Sequence, residues 1–321
     1  MISFENLILI TLLSPLLVSL LTPLLSSKPI LRDILGPFGG IISSWGSIQL
    51  MASILNGEQP RLELLQIAEG ISISFVVTPL GAIFGLVASV LWIFAAIYSV
   101  GYMRGNKEKN QTRFYIFYAM AVHAALCIAY AGDLLTLFIF YEVLTFSTYP
   151  LVTHKQNEMA QKAGRLYMSI LVGTSVILLL PAIIWVWVVT GSLEMSQNGV
   201  LDGKMNPDYA PYLLAMFVFG IGKAALMPIH KWLPAAMVAP TPVSALLHAV
   251  AVVKAGVFTM LLILTNVFGI DFLSKTGASN WLVWLASFTL LTTSIIAIYK
   301  DDIKARLAYS TISQLSYITL G

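Results

Sequence analysis

Three ionisable side chains sit in the middle of long apolar stretches: Glu142 within 133–152, Lys223 within 211–232 and Lys254 within 241–266. Counted from the start of those stretches, each charge lies roughly 14–20 Å along a helix axis. That is close to the centre of a hydrocarbon layer about 30 Å thick, too deep for a side chain to reach an interface. A charge there costs at least about 2.5–3.5 kcal/mol to insert, so such residues face a bundle interior or a wet cavity. One reading is a structural Glu–Lys pair that fixes helix packing. Buried ion pairs contribute little net stability, and that role needs only one lysine. The other reading is a chain of groups that exchange protons. Desolvation drives a lysine ammonium to give up its proton, and a nearby carboxylate holds the proton in place. Moving or neutralising the carboxylate therefore releases it. Arginine, which stays charged, could not do this.

The segment around Lys223 adds a second signal. Gly220-Ile221-Gly222-Lys223 is followed by Pro228 and Pro234, and Pro240 and Pro242 open the next helix. Proline removes a backbone donor and clashes with the preceding turn, so the helix should break near 211–240. Irregular backbone at membrane depth survives only where protein or water covers it, and broken helices beside ionisable groups mark transporter sites. His248 is placed to relay protons between the two lysines, since neutral imidazole can both accept and donate. Lys254 is six positions further on and points to another face, so water or hydroxyls must lie between. His230 reads either as a relay or as an interface anchor beside Lys231 and Trp232. His123 has no ionisable neighbour at helical spacing and reads as a hydrogen-bonded packing residue.

These residues need a membrane scaffold, and composition supplies one. The chain of 321 residues is 58% hydrophobic and only 10% charged, too little charge to cover a soluble domain. Apolar stretches predict an all-α integral membrane protein with ten helices: 3–25, 34–55, 72–100, 114–131, 133–152, 166–190, 211–232, 241–266, 280–299 and 304–321. Residues 1–321 read as one transmembrane domain. Within it 1–113 form peripheral helices, 114–266 a first repeat and 280–321 the start of a second. Glu5 stands where a signal peptide would be basic, so the first stretch reads as a span.

Loop charges fix the expected orientation. With the N-terminus outside, the inner connections hold Lys28, Arg32, Arg104, Lys107, Lys109, Arg113, Lys155, Lys162, Arg165, Lys231, Lys300, Lys304 and Arg306, most of the 18 basic residues. The outer loops carry Glu58, Glu63, Glu69, Glu194, Asp202, Asp208 and Asp271. This asymmetry places the basic loops in the cytoplasm and the chain in a cell inner (plasma) membrane. It also accounts for the net charge of +3 and leaves no case for nucleic-acid binding. The single Cys127 excludes an internal disulfide or a thiolate-held iron–sulfur cluster. No G-x-G-x-x-G after a strand, Walker loop or H-E-x-x-H occurs. The chain is expected to carry no cofactor of its own.

The stretch Gly222-Lys223-Ala-Ala-Leu-Met-Pro228-Ile-His230-Lys-Trp232-Leu-Pro234, continuing through Pro240-Thr-Pro242 to His248 and Val-Lys254-Ala-Gly256, closely resembles the large antiporter-like membrane subunits. These occur in respiratory complex I, in Mrp-type sodium/proton antiporters and in membrane-bound hydrogenase-type complexes. Tyr-Glu142-Val-Leu-Thr-Phe-Ser-Thr-Tyr-Pro-Leu resembles the helix with that family's key glutamate. Asp302-Ile-Lys304-Ala-Arg306 is similar to the start of its second repeat. The resemblance implies that Glu142 modulates a central Lys223, that His248 is the relay histidine, and that Lys254 extends the path. His230 and Lys304 are further candidates.

The resemblance also implies a translocating subunit of a multisubunit complex, moving protons alone or coupled to sodium. Iron–sulfur clusters would sit in partner subunits if the complex is redox-driven. Family members have about fourteen helices in two inverted repeats, and this chain stops just inside the second. It is therefore expected to supply one half-channel, with another membrane subunit providing the missing antiporter-like helices. Rival readings are a non-conducting assembly subunit and a stand-alone solute carrier.

Overall fold

The computed structural model describes residues 3–249 and 251–321, with backbone alone for 246–249. In chain order the helices and strands are α1 (Phe4–Leu21), α2 (Pro29–Leu55), β1 (Arg61–Ala68), β2 (Ile71–Val76), α3 (Pro79–Gly105), α4 (Gln111–Ala129), α5 (Leu134–Val152), α6 (Glu158–Thr174), α7 (Leu180–Thr190), α8 (Ala210–Gly220), α9 (Trp232–Ala235), α10 (Thr241–Ala249), α11 (Val252–Leu262), α12 (Ile270–Thr276), α13 (Asn280–Ile298) and α14 (Ile303–Leu320). A π-helical turn at Ser175–Leu179 joins α6 to α7, so Glu158–Thr190 is one long apolar rod. A second π turn, Ile263–Phe268, extends α11.

Among the described residues, seven helices are long and apolar enough to cross a membrane. The count rises to eight if Val252–Phe268 and Ile270–Thr276, bent by 76°, form one span. Several helices start at a short polar side chain that takes up an otherwise unpaired backbone N–H. Thr78 accepts from Gly81 N at 3.0 Å, Asn157 from Ala160 N at 2.8 Å and Asp302 from Ala305 N at 2.9 Å.

The chain divides into two compact units. The first comprises residues 1–66, 72–156 and 239–252, and the second 67–71, 157–238 and 253–321. In the first unit, α1 to α4 pack side by side through small residues. The Ser14 hydroxyl donates to Gly39 O at 2.8 Å and Ser43 to Thr11 O at 3.1 Å. His123 is a packing residue, its Nδ1 2.8 Å from Leu12 O. In the second unit, α13 lies against α14, and the π turn after α6 packs against α8.

Four expectations change. Residues 72–76, read as the start of a helix, belong to β2, which is paired with β1 in a two-stranded sheet. Ile71-Ser-Ile-Ser alternates with period two, and Thr78-Pro79 begins the helix only afterwards. α2 starts at Pro29, which takes Arg32 and Asp33 out of the loop and into the helix. The stretch 211–232 is helical only to Gly220. The stretch 241–266 is not one continuous helix, since Ala251 is a bend just before α11.

Candidate functional site

The second unit holds Lys223 where the helix fails. After α8 the chain makes a single 3-10 turn, Gly222–Ala224, then passes through Ala225 at φ +56°. It continues as short turns to Thr241. A left-handed alanine and missing helical bonds leave carbonyls in need of partners. Trp232 supplies one donor: its fully buried indole Nε1–H reaches Gly222 O at 2.9 Å. Tyr167 packs edge-on against that indole, ring centroids 5.5 Å apart. Thr289 on α13 accepts from Met227 N at 3.3 Å. The irregular backbone is thus covered by protein on several sides, the condition for its survival at membrane depth. Lys223 itself is 0% exposed.

Lys254 comes close through the backbone of its own helix. Gly256, two residues on in α11, lies against the Lys223 turn. A Cβ there would overlap the Ala224 nitrogen and the Lys223 carbonyl carbon. Only glycine permits this approach. Gly220 plays the same part on the other side, where a Cβ would collide with the backbone of Leu179 in the π turn. Lys254 is half-buried. His230 lies in the turn Ile229–Lys231, its ring tilted 6.3 Å from Tyr309 on α14 and its Nδ1 buried without a hydrogen-bond partner among the described residues. Lys304 donates to Met237 O at 3.5 Å and so ties α14 to the end of the irregular segment. The structure therefore brings Lys223, Lys254 and His230 into one unit around a covered break, with Lys304 at its edge.

Glu142 belongs to the first unit. Both of its carboxylate oxygens are buried and have no hydrogen-bond partner among the described residues. An orphaned carboxylate in a dry site calls for a partner or a proton. The His248 side chain lies outside the described residues.

Sequence reasoning missed two buried carboxylates. Asp133, 0% exposed, caps α5, the helix of Glu142. It accepts from Thr136 N at 2.7 Å and Thr136 Oγ1 at 2.7 Å, and from Ser74 N at 3.0 Å and Ser74 Oγ at 2.8 Å. The helix start is thereby clamped to β2. The signal was an Asp just before an apolar run with a threonine three residues on. Asp33 bridges Arg32 at 2.8 Å and Arg104 at 2.6 Å, and Arg32 also reaches Gln111 and Thr112. This cluster joins α2, α3 and α4 at one end of the first unit. Among the described residues no group of His, Cys, Asp or Glu could hold a metal ion.

The model of the family described as NADH:quinone oxidoreductase/Mrp antiporter, TM, matches residues 131–321, more than half the chain, and covers Glu142, Lys223, His230, His248, Lys254 and Lys304. The chain belongs to this antiporter family. A second model, for the complex I chain 5 N-terminus, matches residues 65–115. A Staphylococcus haemolyticus (strain JCSC1435) protein named as antiporter subunit mnhA2 is 26% identical over 285 residues, 87% of this chain and 34% of that protein. Its Staphylococcus aureus (strain MRSA252) namesake is 32% identical over 245 residues, 74% and 29%. The chain thus spans about a third of the length of these curated relatives. Among solved structures, the archaeal membrane-bound sulfane sulfur reductase, a respiratory membrane complex, contains a chain that superposes with a TM-score of 0.83 at 22% identity. That match covers 99% of this chain and 64% of the other. The Mrp complex from Dietzia sp. DQ12-45-1b gives 0.83 at 23% identity, covering 98% and 34%. At these identities the likeness shows an antiporter-type fold.

Proposed function

We propose that this antiporter-family chain is an ion-translocating subunit of a multisubunit membrane complex. It moves protons, alone or in exchange for sodium, through a half-channel centred on Lys223. In this reading the chain has ten spans, its N-terminus outside and its basic loops in the cytoplasm, within a cell inner membrane. Other membrane subunits assemble with it, one of them completing the path. If the complex is redox-driven, the iron–sulfur clusters belong to those partners.

The observation that carries this reading is Lys223, fully buried on irregular backbone that Trp232, Thr289 and Gly256 hold in place. A fully buried, positioned ammonium is suited to holding one proton and releasing it on demand. Glu142, orphaned in its own unit, is the carboxylate whose approach or withdrawal sets that demand. Lys254 and His248 carry the proton onward, and His230 and Lys304 are outlying relays.

The test is transport by the assembled complex in everted vesicles. Lys223→Ala and Glu142→Gln should abolish ion movement while leaving subunit assembly intact on a native gel. A Lys223→Ala complex that pumps at full stoichiometry would reduce the chain to a scaffold.

A further inference from the structure

The first unit holds a small polar cavity that the reading above does not use. α1 packs on α2, α2 on α3, α3 on α4 and α4 back on α1, so the four helices close into a bundle. Beside Arg32 and Asp33 a gap between them leaves about 20 Å³ for the centre of a water molecule. One water needs at least about 10–15 Å³ on that measure. The lining includes Thr22 at the end of α1, Arg32 and Asp33 on α2, Ser99 on α3, and Tyr115 and Tyr118 on α4.

Both tyrosine hydroxyls are buried and make no hydrogen bond among the described residues. Their rings are held in place. Tyr118 is 2% exposed and stacks on Phe114 with centroids 5.2 Å apart, and the Arg32 guanidinium carbon lies 5.2 Å from the centroid of the Tyr115 ring. A buried hydroxyl left unpaired is costly, so two at one cavity call for a shared partner. Thr22 and Ser99 have their protons committed elsewhere, Thr22 to Val18 O at 2.6 Å and Ser99 to Ala95 O at 2.6 Å. Each therefore offers the cavity only lone pairs. The cavity thus presents two donors and two acceptors, the set that one water completes by accepting twice and donating twice. Ions of either sign fit worse. Asp33 accepts from both Arg32 and Arg104, so the three together carry a net positive charge that opposes a cation. The Asp33 carboxylate and the two lone-pair oxygens oppose an anion.

We propose that this cavity binds one water molecule that bridges α4 to α1 and α3. The water accepts from Tyr115 and Tyr118 and donates to Thr22 and Ser99. A direct bond already joins α1 to α4 one turn away, where the Ser19 hydroxyl donates to Ile116 O at 3.0 Å. The water adds α3 to that junction. Hydrogen bonds of this kind matter between membrane helices, where burial of apolar surface gives little drive to associate. The bound water is therefore part of what holds this end of the bundle together, and with it the cluster of Arg32, Asp33 and Arg104.

The experiment is a double-mutant cycle on the assembled complex, read as thermal unfolding in detergent. Thr22→Val and Tyr118→Phe each keep the shape of the side chain and remove one hydroxyl. Each should lower the unfolding temperature by a few degrees. The double variant should fall by clearly less than the sum, because both changes break the same bridge between groups on different helices. Losses that simply add would show two independent hydroxyls and overturn the proposal. If the variants fail to assemble, the wild-type complex decides. A cryo-electron map sharp enough to show ordered water should carry one density within hydrogen-bond reach of Tyr115 Oη, Tyr118 Oη, Thr22 Oγ1 and Ser99 Oγ. An empty cavity in that map, or a Tyr118 hydroxyl bonded directly to Ser99 with no density between the helices, would refute the bridge.

Discussion

Replacing Gly256 by alanine tests whether close contact between α11 and the Lys223 turn matters for transport. The added methyl would sit 2.7 Å from the Lys223 carbonyl oxygen, where ordinary van der Waals contact begins at 3.4 Å, and closer still to the neighbouring backbone atoms. No rotamer change can relieve this, because the obstructing atoms are main chain. Either α11 or the turn must move by roughly 1 Å. Overpacking of this kind costs about 1–3 kcal/mol. The functional effect should be larger than the loss of stability suggests. A displacement of about 1 Å at a reacting group can reduce rate by about 100-fold, and the displaced group here is the backbone that carries Lys223. The assay pairs transport by the assembled complex with its thermal unfolding in detergent. Gly256→Ala should transport one to two orders of magnitude more slowly while the complex still assembles. Ala255→Gly, at the neighbouring position, controls for a general loosening of α11. Wild-type transport by Gly256→Ala would refute the argument that this contact positions Lys223.

Asp133→Asn replaces an acceptor of four hydrogen bonds by a group that can accept on one side only, so at the least Thr136 N, the sole donor to Oδ1, is left facing an amide N–H. The loss should be about 1.5–3 kcal/mol, read as a fall in thermal stability, with transport impaired because the start of the Glu142 helix is released from β2. His154 adds a pH dependence of stability. Its folded-state affinity for protons is below that of an unfolded histidine at about 6.5. The unfolded chain therefore binds the proton first, and stability present above about pH 6.5 is lost as pH falls through the lower folded value. Thermal unfolding of His154→Gln across that window should show a shallower dependence than wild type.

The break and its cations were legible because proline and buried lysine are both costly in a membrane helix, and their coincidence between 220 and 256 has few structural explanations. What holds the break open for function was not legible. Gly256 reads in sequence as an ordinary small residue after Lys254, and its role comes from which backbone lies across from it. Asp33 and Asp133 were hidden for a different reason. Each stands at a helix start, where hydropathy changes over a few residues and a carboxylate looks solvent-exposed. Burial then depends on what covers that end: Arg104 and Arg32 in one case, Ser74 of β2 in the other. The β1–β2 hairpin was lost to the same blindness, since Ile71-Ser-Ile-Ser-Phe-Val is as apolar as a helix and only its period separates the two. The spans and the central lysine thus follow from local composition. The clamps that give the lysine and the glutamate their positions are long-range contacts: β2 onto α5, α11 onto the turn after α8, and α14 onto Met237. A substitution in a clamp should therefore slow transport without touching an ionisable group, and such clamps become visible only once the chain is folded.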